Sequence, residues 1–319
     1  MKNIVITIPV TDEDRILFEQ KISDRHDDFR IIYSDGSSSH TDIIRSASAI
    51  IGMIEPSAVQ GLTLLEWLQI PWAGVEQYVQ RAVLPKKTIL TNASGAYGIS
   101  VAEHMVALTL ALSCHLDIYL RQQGQHVWKQ HGRELFIGES TVLVLGLGDI
   151  GANYAKRMKS LGAYVIEISR SRKDRQDFCD ESCIIDDLDS VIGRADVIAV
   201  ALPGGDDTYH LLGEAQFKKM KKGVFIVNAG RGSVIDTGAL IIALREGAVG
   251  GAGLDVFEEE PLQKSPLWDM QNVIITPHVA GKMEDGFNRK KVLELCANNL
   301  YRYTHGLDLM HVVDRDKGY

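Results

Sequence analysis

Cysteine is scarce, with four in 319 residues: Cys114, Cys179, Cys183 and Cys296. So few cannot form a disulfide framework in a chain of this length, and reduced thiols in a cytoplasmic protein are expected. Cys179 and Cys183 lie close together, but no second cysteine pair or nearby histidine completes a zinc set, so no metal is expected. Long hydrophobic runs are also missing. The N-terminal MKNIVITIPV has an apolar stretch shorter than a signal-peptide core, is followed by TDEDR, and reads as a first strand. The most apolar helical stretch, Met105 to Cys114, is bounded by His104 and His115 and is too short for a bilayer. Positive charge is not in excess. The 34 basic and 42 acidic residues give −8, which argues against a general nucleic-acid binder. There is no Pro/Ser-rich linker, low-complexity tract or internal repeat, so helices rather than a flexible tether should join the domains.

What is present suits a two-domain α/β protein, with 45% hydrophobic and 24% charged residues. The first hundred residues alternate strand-like and helix-like pieces: NIVITI, FRIIYSD, ASAIIGM, LTLLEWLQI and KTILTNA. Such alternation predicts a parallel sheet with helices on its faces. An apolar helix should run from Ser100 to about Leu120, buried between two surfaces. A second series follows: TVLVLG, AYVIEIS, DVIAVALP, VFIVNAG, GAGLDV and VIITPH. Continuous apolar runs of this length are what strands buried on both faces require. A final helix, from about Gly286 to Tyr303, places Val292, Cys296, Leu300 and Tyr303 on one stripe.

VLVLGLGDIG sets Gly146, Gly148 and Gly151 in the spacing G-x-G-x-x-G. Glycine triplets arise by chance, but this one follows a strand-like run. It also opens a helix with Ile150, Tyr154, Met158 and Leu161 on one face. Gly146 allows the tight turn, Gly148 lets a pyrophosphate approach the backbone, and Gly151 lets helix and strand pack closely. The anion would sit on the positive end of the helix dipole. Two residues compete to select the adenosine ribose. Glu167, an acid at nearly the right distance, would accept bonds from a free 2′-hydroxyl and imply NAD. Ser169 stands at the strand end and is followed by Arg170, Ser171 and Arg172. In that reading no carboxylate repels a 2′-phosphate and the arginines pair with it. The second reading is favoured, with NADP as the preferred cofactor and NAD as the alternative.

Three further stretches end in chemistry-bearing residues. FIVNAGRGSVID holds Arg231 between glycines, GLDVFEEEP carries Asp255 and Glu260, and ITPHVAG carries His278. A histidine just past a strand is most often a polar end group, so its company decides. Residues beyond the carboxyl ends of parallel strands line the ligand crevice, so Arg231, Asp255 and His278 can face one cleft. Glu258 and Glu259 compete with Glu260 as partners for His278. His104, His115, His126 and His131 read as packing or surface groups.

These stretches, with PWAGVEQ, NASGAYGISVAEH and ALPGGDDTYHLLG, occur in an order that resembles the D-isomer-specific 2-hydroxyacid dehydrogenases. That family includes glyoxylate/hydroxypyruvate reductases and phosphoglycerate dehydrogenases. The resemblance implies a homodimeric oxidoreductase. Its Rossmann dinucleotide-binding domain, residues 101–281, would be inserted into a flavodoxin-like substrate domain of residues 1–100 and 282–319. It makes His278 the acid/base and Glu260 the carboxylate holding its ring. Arg231 would bind the carboxylate of a 2-oxo acid and polarise its carbonyl. Ala73, Gly74 and Val75 match a loop whose backbone also holds that carboxylate. Asp149 and Ile150 fall where the pyrophosphate binds, and Asp255 falls near the nicotinamide amide. Leu202, Pro203, Ala229, Gly230 and Gly281 complete the cofactor set.

Some residues depart from the family pattern. Trp72 precedes the Ala-Gly-Val loop where smaller residues are common, and MIEP introduces Glu55 near the substrate segment. No regulatory extension follows the last helix, which weighs against a phosphoglycerate dehydrogenase. The leading expectation is an NADPH-linked reductase of glyoxylate or hydroxypyruvate. The alternatives are an NAD-linked D-lactate- or phosphoglycerate-type dehydrogenase and a non-catalytic dinucleotide-sensing protein.

Overall fold

Runs of Val, Ile and Leu form the strands, and every ladder between named strands is parallel. The computed structural model describes residues 1–34, 41–79, 83–132, 134–171, 174–284, 286–316 and 318. The chain divides into two units, Met1–Ala96 with Lys282–Tyr319, and Tyr97–Gly281. The first division comes four residues before the expected one, because a helix starts at Gly98 and belongs wholly to the second unit.

The first unit holds β1 (Lys2–Ile6), β2 (Phe29–Tyr33), β3 (Ala47–Ile51), β4 (Trp67–Gln69) and β5 (Ile89–Thr91). Their order is β2-β1-β3-β4-β5, a flavodoxin-like doubly wound sheet. The Gly286–Thr304 helix returns the chain to this unit, with Val292, Cys296 and Leu300 fully buried. Burying a Val or Leu side chain is worth about 1.5–3 kcal/mol. A polar lock fixes the helix in register. Gln69, buried on β4, accepts from Asn299 Nδ2 at 2.8 Å and from Thr91 Oγ1 at 2.7 Å.

The second unit holds β6 (Thr141–Leu145), β7 (Tyr164–Ser169), β8 (Glu181–Ile184), β9 (Val197–Val200), β10 (Val224–Asn228), β11 (Val249–Leu254) and β12 (Val273–Ile275). Their order, β12-β11-β10-β9-β6-β7-β8, is a Rossmann sheet whose direction of growth reverses between β6 and β9. The sequence reading missed β8. Glu181 and Ser182 make its pattern polar, and among the described residues it is an edge strand paired with β7.

The expected single helix from Ser100 to Leu120 is two helices, Gly98–Ser113 and Leu116–Gly124, bent by 69°. His115 at the break is left-handed, with φ +54°. The Ser113 carbonyl accepts the Leu135 N–H at 3.1 Å instead of continuing the helix. The first helix packs on β10, β11 and the Asp149–Ser160 helix, where Thr109 Oγ1 meets the buried Tyr154 hydroxyl at 2.8 Å. Among the described residues no single helix is long and apolar enough to cross a membrane.

In the first unit the Asp12–Gln20 helix starts with a capping box between Thr11 and Asp14. Arg289 donates to both Asp14 oxygens, at 3.2 and 2.6 Å. The Arg289 guanidinium holds the Asp14 carboxyl down to about 2. A carboxyl depressed in the folded state stabilises the fold above its unfolded pKa of about 4, and this is lost as pH falls through the folded value. Asp14→Asn should therefore melt at a lower temperature than wild type at pH 7. The gap should close between pH 4 and 2, read from melting curves across that range.

Candidate active site

The loops leaving β6, β9, β10, β11 and β12 meet along one edge of the second sheet, and its glycines record how closely. A methyl added at Gly146 would lie 2.9 Å from the Ala201 carbonyl oxygen and 3.0 Å from Leu202 Cδ2. One at Gly230 would lie 2.7 Å from the Leu202 carbonyl oxygen. Arg231 Cγ sits 3.3 Å from where Gly204 would carry a methyl, and Gly232 has the Phe257 carbonyl carbon 1.9 Å from its own. A chain of contacts thus runs from the glycine loop through Ala201, Leu202, Gly230, Arg231 and Gly232 to the loop carrying Glu260.

In the glycine loop the three positions behave differently. Gly146 has φ +95°, a conformation that disfavours side chains. Gly148 caps the Asp149–Ser160 helix without a side-chain bond, is exposed, and has nothing within 4 Å of an added methyl. Gly151 has the Gly146 carbonyl oxygen 1.8 Å from that point. The backbone is therefore closed where helix meets strand and open where an anion would approach the helix N-terminus, which fits a dinucleotide pyrophosphate. Asp149 is exposed beside Gly98, and Ile150 is half-buried.

At the end of β7, Glu167 is only 1% exposed. Its Oε2 accepts the Ser169 hydroxyl at 2.7 Å, and its Oε1 accepts the Ser182 hydroxyl from β8. Arg170 and Ser171 follow on the surface, and Arg172 lies outside the described residues. Burial beside Glu167 raises the neighbouring Cys179 thiol to about 11.

His278 Nδ1 meets Glu260 Oε2 at 2.7 Å, and Glu260 Oε1 accepts the Phe257 N–H at 2.9 Å. The His278 side chain is 53% exposed and its backbone is left-handed, φ +49°. Glu258 does not compete for this ring, because it pairs with His210 and accepts the Thr237 N–H at 2.8 Å. Burial pushes the Glu258 carboxyl up, but Thr237 and the His210 ring pull it below the ordinary range. Glu259 is exposed. Arg231 is half-buried, and its Nη1 donates to the Gly230 carbonyl at 2.9 Å.

Asp255 is 1% exposed, and loop donors occupy its carboxylate. Oδ1 accepts Thr276 Oγ1 at 2.6 Å and the Val279 N–H at 3.0 Å, while Oδ2 accepts the Ala280 N–H at 3.0 Å. His104, read from the sequence as a packing or surface group, reaches this network with Nε2 2.9 Å from Thr276 Oγ1. Gly281 closes the loop at φ +77°, and a methyl there would lie 2.7 Å from Val101 Cγ2. The sequence named neither Ser182 nor His104 for these contacts. The stretch NASGAYGISVAEH contains His104, but nothing in it says which way the ring points.

Ala73, Gly74 and Val75 belong to the first unit, in the turn after β4. Asn92 Nδ2 donates to the Ala73 carbonyl at 2.9 Å, and Trp72 packs against that unit's core. Met53 and Glu55 are exposed.

The model of the D-isomer specific 2-hydroxyacid dehydrogenase NAD-binding domain matches residues 106–280, more than half of the chain. The chain belongs to this family. A glyoxylate reductase from Aeropyrum pernix is 36% identical over 238 residues, 71% of this chain and 70% of the relative. A D-3-phosphoglycerate dehydrogenase from Archaeoglobus fulgidus is 32% identical over 82% of this chain but only 49% of its own length. A family structure from Aeromonas salmonicida superposes with a TM-score of 0.83 over 99% of both chains, at 30% identity. This 2-hydroxyacid dehydrogenase is thus an oxidoreductase of CH–OH groups served by a nicotinamide dinucleotide.

Gly151→Ala in this dehydrogenase would force the Asp149–Ser160 helix away from the Gly146 turn. The expected result is a rise of at least tenfold in the Kd of reduced dinucleotide, measured by fluorescence titration with the fold intact by circular dichroism.

Proposed function

We propose that the enzyme reduces small 2-oxo acids, glyoxylate or hydroxypyruvate, with NADPH. The observation that carries the reaction is the His278–Glu260 pair at the carboxyl edge of the sheet, with Arg231 on the adjoining loop. The dinucleotide, when bound, supplies a hydride to the carbonyl carbon. With Nδ1 turned to Glu260, His278 Nε2 is the ring atom left to exchange a proton with the carbonyl oxygen. The Glu260 carboxylate stabilises the imidazolium that gives this proton. Arg231 binds the substrate carboxylate and stabilises the developing oxyanion, an effect typically worth about 3 kcal/mol.

Gly146, Gly148, Asp149, Ile150 and Gly151 cradle the pyrophosphate, lined further by Leu202, Pro203, Ala229, Gly230 and Gly281. Asp255 has acceptor capacity beyond its three loop donors, which suits a carboxamide N–H.

The choice of NADPH draws support from Glu167, whose carboxylate is held inside by two serines rather than presented at the strand end. Arg170 and Arg172 then pair with a 2′-phosphate. The relatives named glyoxylate reductase support the substrate class. The cofactor choice draws further support from a 25% identical structure from Rhizobium etli, a probable 2-hydroxyacid dehydrogenase in complex with NADP. One observation favours NAD instead. Ser169 donates its only proton to Glu167, leaving lone pairs that suit a free 2′-hydroxyl. Two copies of the chain pair through the Leu116–Gly124 helix and the arm after it. Leu120 is 67% exposed there and Trp128 fully so.

The test compares kcat/KM for NADPH and NADH on glyoxylate, hydroxypyruvate and pyruvate. NADPH should win, and Arg170→Ala should lower its kcat/KM at least about fivefold, one guanidinium–phosphate contact being worth about 1 kcal/mol or more. The NADH value should hold. A tenfold advantage for NADH would select the NAD-linked alternative. Separately, His278→Ala should cost about 10²–10⁴ in kcat, followed by loss of dinucleotide absorbance. Full turnover in that variant would revive a non-catalytic role for the site.

A further inference from the structure

The Thr276 hydroxyl has one proton to give, and it goes to Asp255 Oδ1 at 2.6 Å. Its 2.9 Å contact with His104 Nε2 must then be filled from the other side, by the ring donating an N–H. The same nitrogen lies 3.6 Å from Asp255 Oδ1. His104 sits on the Gly98–Ser113 helix, about 170 residues from the loop it reaches in sequence and directly beside it in the second unit. Asp255 in turn holds the backbone at the acid/base and at the two residues after it. Its own carbonyl accepts the His278 N–H at 2.9 Å, and its carboxylate takes the N–H groups of Val279 and Ala280. These bonds hold His278 left-handed, a conformation uncommon for a non-glycine residue.

We propose that His104 is a positioning residue for His278, acting through Thr276 and Asp255. By donating Nε2–H, it turns the Thr276 hydroxyl toward Asp255. That keeps the carboxylate aligned with the two loop N–H groups and fixes where the His278 ring points. Without this donor the hydroxyl can rotate away, the buried carboxylate loses one of its three donors, and residues 278–280 sample other conformations. The claim rests on the role proposed above for His278 and deepens it. His104 touches neither substrate nor dinucleotide in this scheme, so its loss should affect turnover rather than binding.

The test uses the full chain with NADPH and glyoxylate. His104→Ala should lower kcat at least tenfold, with KM for glyoxylate and Kd for NADPH within threefold of wild type. His104→Gln puts an amide N–H close to the position of Nε2 and should recover most of the lost kcat. Thr276→Val should lose as much as His104→Ala, and the double variant should lose little more. Hydrogen exchange of the Val279 and Ala280 amides gives a readout independent of substrate. It should quicken in His104→Ala and slow again in His104→Gln. Wild-type kcat in His104→Ala, or a His104→Gln variant as slow as His104→Ala, would overturn the proposal. If wild type turns over neither glyoxylate nor hydroxypyruvate, the functional reading fails, and amide exchange still decides whether His104 holds the loop.

Discussion

A buried carboxylate must be compensated, and Asp255 is compensated by the loop that carries His278. Taking an ionised carboxylate out of water costs several kcal/mol unless hydrogen bonds replace its hydration. Thr276, Val279 and Ala280 supply those bonds, and in supplying them they give the loop its shape. One electrostatic requirement therefore does two jobs. It anchors the end of β12 to the end of β11, and it leaves the His278 ring exposed with Nδ1 turned to Glu260. The carboxylates of Asp255, Glu258 and Glu260 follow a single strand yet serve three different partners. This division of labour keeps three acids close together without any two sharing one cation.

Glycine organises the remainder of the edge. At Gly151, Gly230 and Gly232 a methyl would come within 2.7 Å of neighbouring backbone, so the loops after β6, β9, β10 and β11 are in van der Waals contact through their main chains. Backbone packed on backbone has few rotamers to lose and little freedom to drift, which suits groups that must be held within fractions of an ångström. Gly148 is the exception, with open space around it, and it stands where the helix dipole faces outward.

The two sheets were legible because parallel strands buried on both faces have to be continuous apolar runs, and TVLVLG, DVIAVALP and VFIVNAG are such runs. The glycine loop was legible for a related reason, since Gly146 and Gly151 answer steric demands that spacing alone exposes. β8 was not. An edge strand has one partner and a wet face, so ESCI carries no apolar signature. That omission had a cost at the selector, because the burial of Glu167 depends on Ser182 of the same strand. The break at His115 was hidden as well. The apolar residues run on through it, and the carbonyl that ends the helix is taken by Leu135 from a later arm. His104 was visible as a residue but not as a contact. Which face of a buried helix turns toward a loop 170 positions later is a property of the packed domain.

Among the described residues five histidines, His115, His126, His210, His278 and His311, have positive φ. At His278 this conformation lies under the proposed acid/base, and the left-handed region costs a side-chain-bearing residue about 1–2 kcal/mol. Glycine would adopt this backbone without penalty, and asparagine with little. A chain selected for robustness alone would place one of them here. The imidazole is thus kept at the expense of folding free energy, and the most stable version of this loop would lack the proposed acid/base.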